Sequence, residues 1–436
     1  MGSPFSNQDR SASQHAGVLQ RSVHAPARRA PARAGAARGS DGPVIEMQAS
    51  PRVLFLDQAG ELGGAELSLL DLARHRVDRC KVLLFADGPF RARLQTAGVK
   101  VEIAHGAEAF MRVGRNSGSW PALMAAPHLL GLALRVASEA RGYDVVYANT
   151  QKAFMVGALA AAIARKPMVW HLRDMLTASH FSPVLRMAAV GVANRMATGV
   201  IANSEATARA FIAAGGAAAK TSVIYNGVDV ARFDKVDGAA ARRALREQLG
   251  CGEAPLVGLF GRFAPWKGQH VALDALSRHP DIHVLLVGGA LFGEEAYEAR
   301  VRKVVADRGL EKRVHFLGFR DEVPDLMKAV DIIVHASIAP EPFGRVIVEG
   351  MLAGKPVVAT AAGGALEIVE DGVTGLLVPP DDAAALGRAL GRLVDDPAFA
   401  ARLGRDGRAA AIEKFSLGAN LAAVDRAIRG FAPGAA

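Results

Sequence analysis

Short apolar runs recur along the chain, each followed by a longer stretch with helical spacing. In the first half they are Arg52–Asp57, Cys80–Phe85, Asp144–Asn149, Pro167–His171 and Gly199–Asn203. In the second half they are Pro255–Phe260, His283–Val287, Val314–Leu317, Asp331–Val334 and Lys355–Ala359. Hydrophobicity that is continuous rather than alternating marks strands covered on both faces, the condition of a parallel sheet flanked by helices. The pattern therefore predicts an α/β protein with two doubly wound, Rossmann-like domains. A chain of 436 residues is also longer than one core ordinarily sustains. Asn226-Gly227-Val228-Asp229 is a turn signal followed by a charged stretch, and it places the boundary there. The expected organisation is a tail over 1–49, a first domain over 50–228, a second over 229–415 and a last helix over 416–432. In that helix Leu417, Leu421, Val424 and Ile428 recur at helical spacing, and the spacing alone suits packing on either domain. Ligands of such sheets bind beyond the carboxyl ends of the strands, so the cleft between the domains is the expected site.

Composition narrows the ligand. The formal charge is +9, and residues 1–46 carry six arginines against three acids in a stretch poor in apolar residues. Such a tail is expected to be disordered. A basic body suits a phosphorylated ligand or an anionic membrane surface. Without aromatic-basic interleaving or zinc spacing, nucleic acid is not expected. Cys80 and Cys251 suggest neither a disulfide framework nor a metal site and fit a reducing, cytoplasmic setting. No apolar run reaches the ~18 residues of a membrane span.

Pro340-Glu341-Pro342-Phe343-Gly344-Arg345-Val346-Ile347-Val348-Glu349 carries the most chemistry. Pro342 suits the first position of a helix, which would put Glu341 at the mouth and Glu349 two turns inside, roughly 12 Å away along the axis. The amides of Phe343, Gly344 and Arg345 would lie between them, where the helix dipole favours an anion. Gly261-Arg262-Phe263-Ala264-Pro265-Trp266-Lys267-Gly268 follows an apolar strand, so Arg262 and Lys267 fall at the ligand edge, suited to a pyrophosphate. The paired glycines Gly63 and Gly64 follow the first strand and open a helix, where backbone can approach a phosphate. His171 ends a strand and is followed by Arg173 and Asp174. Gly363-Gly364-Ala365-Leu366-Glu367 follows another strand, with Glu367 read as the start of a helix. Asp381-Asp382 and Asp395-Asp396 precede helical patterns and read as caps rather than metal ligands.

In combination, Gly261–Gly268, Glu341–Glu349, Gly354-Lys355-Pro356-Val357-Val358 and Gly363-Gly364 resemble the retaining glycosyltransferases of family 4, over nearly all the chain after the tail. The resemblance implies the GT-B fold, a nucleotide-sugar donor and a last helix that crosses back onto the first domain. It implies that Arg262 and Lys267 bind the donor diphosphate and that Gly64, beside Gly63, offers an amide from the opposite domain. Glu349 would hold the ribose hydroxyls, and Glu341 and His171 would meet the sugar near the reacting centre. Gly318, Phe319 and Arg320 would seat the nucleobase, uracil or guanine.

Retaining glycosidases need two carboxylates ~5 Å apart. The expected spacing of Glu341 and Glu349 is about twice that, so they are not expected to form a nucleophile and acid/base pair. The expectation is same-face transfer with electrostatic stabilisation by Arg262, Lys267 and helix amides, and neither metal nor cofactor. A sugar-nucleotide epimerase, a phosphorylase or a silent binding protein are the rival readings. Residues 105–142 and 173–195, with Arg112, Arg115, Arg135, Arg186 and Arg195, are expected to line the acceptor site. The acceptor would be a glycan or lipid-linked intermediate of cell-surface polysaccharide synthesis, met at the inner face of a membrane by peripheral association, or a small molecule.

Overall fold

The computed structural model describes residues 50–107, 126–177, 181–277, 279–291 and 293–432. The expected tail, Arg112 and Arg115 lie outside the described residues. Two all-parallel sheets organise the chain. The first has the order β3-β2-β1-β4-β5-β6-β7, from β1 (Val53–Asp57), β2 (Cys80–Leu84), β3 (Val101–Ile103), β4 (Val145–Ala148), β5 (Met168–Leu172), β6 (Gly199–Ala202) and β7 (Thr221–Val223). The second has the order β10-β9-β8-β11-β12-β13, from β8 (Leu256–Phe260), β9 (His283–Val287), β10 (Val314–Gly318), β11 (Ile332–His335), β12 (Val357–Thr360) and β13 (Leu376–Val378). The chain reverses direction across each sheet between β1 and β4 and between β8 and β11, so crevices open beyond Asp57 and beyond Phe260.

Every predicted strand is present. Three strands were not predicted, β3, β7 and β13, and all three are three-residue edge strands. In β3 and β7 no residue is fully buried, because an edge has helices over only part of its faces. The continuous apolar signature of a central strand is therefore missing.

Two chain crossings join the halves side by side. The Val228 N–H donates to Phe415 at 2.9 Å and the Leu417 N–H to Val228 at 3.0 Å. The helix Leu417–Phe431 then returns to the first half, burying Val424 and Ile428 against the β1, β2 and β4 side chains. Asp425 anchors it there through Arg76 and His75. Asp382 and Asp396 do cap helices, accepting from the Ala385 and Phe399 amides at 2.8 and 2.9 Å. Among the described residues no helix is long and apolar enough to cross a membrane.

Candidate functional site

Glu341 is buried and does not sit at a helix mouth. The helix begins at Arg345, capped by Gly344 with φ of +102°, a left-handed conformation that glycine adopts without steric cost. Pro342 therefore precedes the helix, and Glu349 sits one turn inside rather than two, so the helix-rise ruler does not apply. Glu341 is instead held in extended backbone against Gly363 by a parallel bridge, and Gly364 donates its N–H to the Glu341 carbonyl at 2.9 Å. Gly363 has φ of +61°, and a side chain there would collide with the Glu341 backbone.

The Glu341 carboxylate is buried, and three side chains converge on Oε1: Lys267, Ser337 and, at 2.8 Å, His335. Burial alone would raise its pKa. The Lys267 and His335 charges and hydrogen bonds outweigh that and hold it well below the usual carboxylate range. Lys267 and Arg262 come from the loop after β8, and both lie by the Trp266 ring, at 4.4 and 5.4 Å from its centroid. Arg345 bridges the cleft, donating to Ser68 of the first half at 3.0 Å and to Glu349 at 3.1 Å, and its side chain packs against Gly64. Phe343 contributes only backbone, because its ring is buried beside Tyr225 and Phe415. Gly318, with φ of +68°, ends β10, and Phe319 next to it is more than half exposed. Arg320 pairs loosely with Glu322 at 3.6 Å. These three residues thus lie two strands outward from the Glu341 crevice.

Gly63 does not face the cleft with its amide. Its N–H donates inward to Glu66 at 2.9 Å, leaving Gly64 as the glycine against Arg345. Glu66 belongs to a buried polar cluster that sequence reading missed. Asn149 donates to Asp57 at 2.6 Å and to the Ala65 carbonyl at 3.1 Å. Arg173 donates to Asn149 and Asn226, both at 2.6 Å, and to His171 Nδ1 at 3.1 Å. An arginine can only donate, so Nδ1 accepts and the proton of neutral His171 sits on Nε2. Burial, then Arg173, hold the His171 pKa well below its ordinary value, so the ring stays neutral. His171 Nε2 is buried with no hydrogen-bond partner among the described residues. The signal for this cluster was present: Asp57, Asn149 and His171 each close an apolar run with a polar residue.

Burial, then the neighbouring Asp57 charge, push Glu66 up to about 8, and burial pushes Asp57 up to about 6. A carboxyl whose folded pKa lies above its unfolded one lends full stability below the unfolded value and loses it as pH rises through the folded value. Glu66→Gln keeps an acceptor for Gly63 and removes the opposed charge. It is expected to lie within about 1 kcal/mol of wild type at pH 5 and to exceed it by roughly 2–3 kcal/mol at pH 8. Urea unfolding at the two pH values checks this.

Comparison with known proteins follows the same two halves. Residues 62–232 match the family described as Glycosyltransferase Family 4, and residues 241–410 the family described as Glycosyl transferases group 1. The structure of Anabaena Alr3699/HepE in complex with UDP-glucose is 42% identical with a TM-score of 0.80, covering 87% of this chain and 100% of that one. The lipopolysaccharide core biosynthesis glycosyltransferase LpsE of Rhizobium meliloti (strain 1021) is 35% identical over 164 residues, 38% of this chain and 46% of that protein. The chain thus spans about half the length of that relative. A D-inositol 3-phosphate glycosyltransferase of Mycolicibacterium vanbaalenii is 32% identical over 310 residues, 66% of this chain and 67% of that protein. The two sheets and these matches lead to one conclusion: the chain belongs to glycosyltransferase family 4, a transferase of the GT-B fold.

Proposed function

We propose that the chain transfers a hexose-type sugar from a UDP-sugar to a hydroxyl acceptor with retention of anomeric configuration. The carrying observation is the convergence of Lys267, His335 and Ser337 on one oxygen of Glu341, three residues ahead of the Gly344 cap of the helix Arg345–Leu352. With Oε1 occupied, the carboxylate meets the sugar through Oε2. The diphosphate would lie between that helix mouth, Arg262, Lys267 and the Gly64 amide. Glu349, one turn inside the helix, would take the ribose, and Gly318, Phe319 and Arg320 the base. The neutral His171 would offer Nε2–H to a sugar oxygen. In the reaction the bond from the anomeric carbon to the diphosphate oxygen breaks. The acceptor oxygen bonds on the same face, and its proton passes to the leaving phosphate. Glu341, kept ionised, orients the sugar and stabilises positive charge at the anomeric carbon, while the cations stabilise the leaving group, so this reading requires no metal.

The choice of uracil is supported by HepE, whose structure holds UDP-glucose. The acceptor we propose is a glycan or lipid-linked intermediate of polysaccharide synthesis. The name of LpsE supports that class, as does Arg135, Arg186 and Arg195 standing on the helices Ala126–Ala140 and Pro183–Met196 of the first half. Exposed Leu130, Leu134, Val184 and Met187 share those helices and support peripheral membrane contact. Incubation with UDP-, GDP- and ADP-sugars, with and without chelator, tests the reading. Release of UDP from a UDP-sugar, undiminished by chelator and accelerated by acceptor, is expected. Turnover lost with chelator and restored by magnesium would refute the metal-free mechanism, and donor conversion without acceptor would indicate an epimerase.

A further inference from the structure

The mouth of the helix Glu205–Ala213 is completed by both halves of the protein. The first amides of a helix have no partner within it. Here Ser204 Oγ accepts from Thr207 N at 3.0 Å. Glu367, from the second half, accepts from the Glu205 and Ala206 amides at 2.8 and 2.6 Å. Arg209 adds a looser contact to Glu367 at 3.6 Å. The same mouth holds Pro342: Ser204 Oγ donates to its carbonyl, and Thr207 Oγ1 lies 3.2 Å from it.

Both contacts lead to Glu341. Pro342 is its chain neighbour. Glu367 stands on the short helix Ala365–Ile368, directly after Gly363 and Gly364, the two residues whose backbone pairs with Glu341. One helix mouth of the first half therefore grips the Glu341 segment of the second half at two points, without touching the carboxylate.

We infer that Glu367 is a positioning residue for Glu341. With Ser204 it forms a closure latch that sets the Glu341 segment in its donor-facing position only when the two halves are docked. The inference rests on the reading of Glu341 as a donor-facing group. Both sides of the latch find water when the halves part, so the contact is exchanged rather than lost, which suits a reversible closure that completes the catalytic arrangement. Sequence reading took Glu367 only as the start of a helix. That helix is one turn long, and its carboxylate reaches across to cap another.

The test uses the full chain with Glu367→Ala and the conservative Glu367→Gln, which keeps one acceptor oxygen. Amide hydrogen exchange without ligand is expected to rise at least tenfold in Glu367→Ala at Glu205, Ala206 and also Gly364. With UDP-glucose, kcat is expected to fall tenfold or more while KM stays within threefold, with Glu367→Gln between. Unchanged exchange at Glu205 and Ala206 would overturn the latch. So would faster exchange there with Gly364 and kcat at wild-type values. Failure of wild type to turn over UDP-glucose would overturn the donor reading alone, and exchange at Gly364 would still decide the latch.

Discussion

Lys267→Met is expected to lower transfer about a thousandfold, the scale set by removing a charge that stabilises a transition state. It is also expected to destabilise the protein by about 3 kcal/mol, because it strips a buried carboxylate of a close cation. Glu341 and Lys267 are both largely buried, so solvent screening offsets little of this. The two losses have different pH dependence. In wild type the Glu341 pKa is held down, so its pairing stabilises the fold above the ordinary carboxylate pKa and is lost as pH falls through the depressed value. Without Lys267, burial is opposed by His335 and the Ser337 hydroxyl but no longer by the Lys267 charge, and the folded pKa rises. The stability gap between Lys267→Met and wild type should therefore widen as pH rises from about 4 to 7. Adding Glu341→Gln removes the unpaired charge, so the double variant should regain most of the stability and none of the activity. Urea unfolding at pH 4 and 7, with steady-state turnover of UDP-glucose, separates the two. A double variant as unstable as Lys267→Met would show that Glu341 is not the partner whose charge matters.

That split between stability and chemistry also marks what the sequence could disclose. Strands β1, β2, β4, β5, β6, β8, β9, β11 and β12 were legible because central strands are apolar on both faces, a property each run carries by itself, and the edge strand β10 was legible because its run is five residues long and holds Val314, Phe316 and Leu317. Strands β3, β7 and β13 take their identity from a single neighbour, so nothing local distinguishes them. The same contrast holds in the site. Arg262, Lys267, Glu341 and Glu349 were legible as residue types near glycine turns at strand ends. The start of the helix at Arg345 was not, because Pro342 suits a first helical position equally well. What decides against it is tertiary: the Pro342 carbonyl is taken by Ser204, and Gly344 turns left-handed to redirect the chain. Asp57, Glu66, Asn149 and Asn226 are far apart in sequence and become one cluster only through β1, β4 and the boundary turn. Arg173 was visible beside His171, but its function was not, since its other two acceptors, Asn149 and Asn226, are remote in sequence.

Arg173→Met tests that cluster and should be the most destabilising substitution in the first half. Two effects oppose each other. Burial disfavours the guanidinium, lowering its pKa to about 10, so removing it relieves a desolvation cost. Against that, Asn149, Asn226 and His171 Nδ1 each lose a buried donor, at about 1–3 kcal/mol apiece, and Asp57 loses its nearby cation. The orphaned acceptors outweigh the relief, for a net loss of about 3 kcal/mol. Asp57→Asn in the Arg173→Met background removes one of the uncompensated groups and should restore part of it. Activity should fall for a separate reason. Arg173 is what obliges His171 Nδ1 to accept, and so places the proton on Nε2. Without it the Tyr147 hydroxyl, kept protonated by burial, is the remaining hydrogen-bond partner of Nδ1 among the described residues. A hydroxyl both donates and accepts, so it tolerates either tautomer. Imidazole nitrogen NMR should then show His171 as Nε2–H in wild type and as a mixture in Arg173→Met, with kcat down about a hundredfold, within the range of positioned proton donors. Arg173→Lys retains charge but cannot reach three acceptors at fork geometry, so it should recover stability more than tautomer control. A single Nε2–H tautomer in Arg173→Met would assign that control to Tyr147 instead.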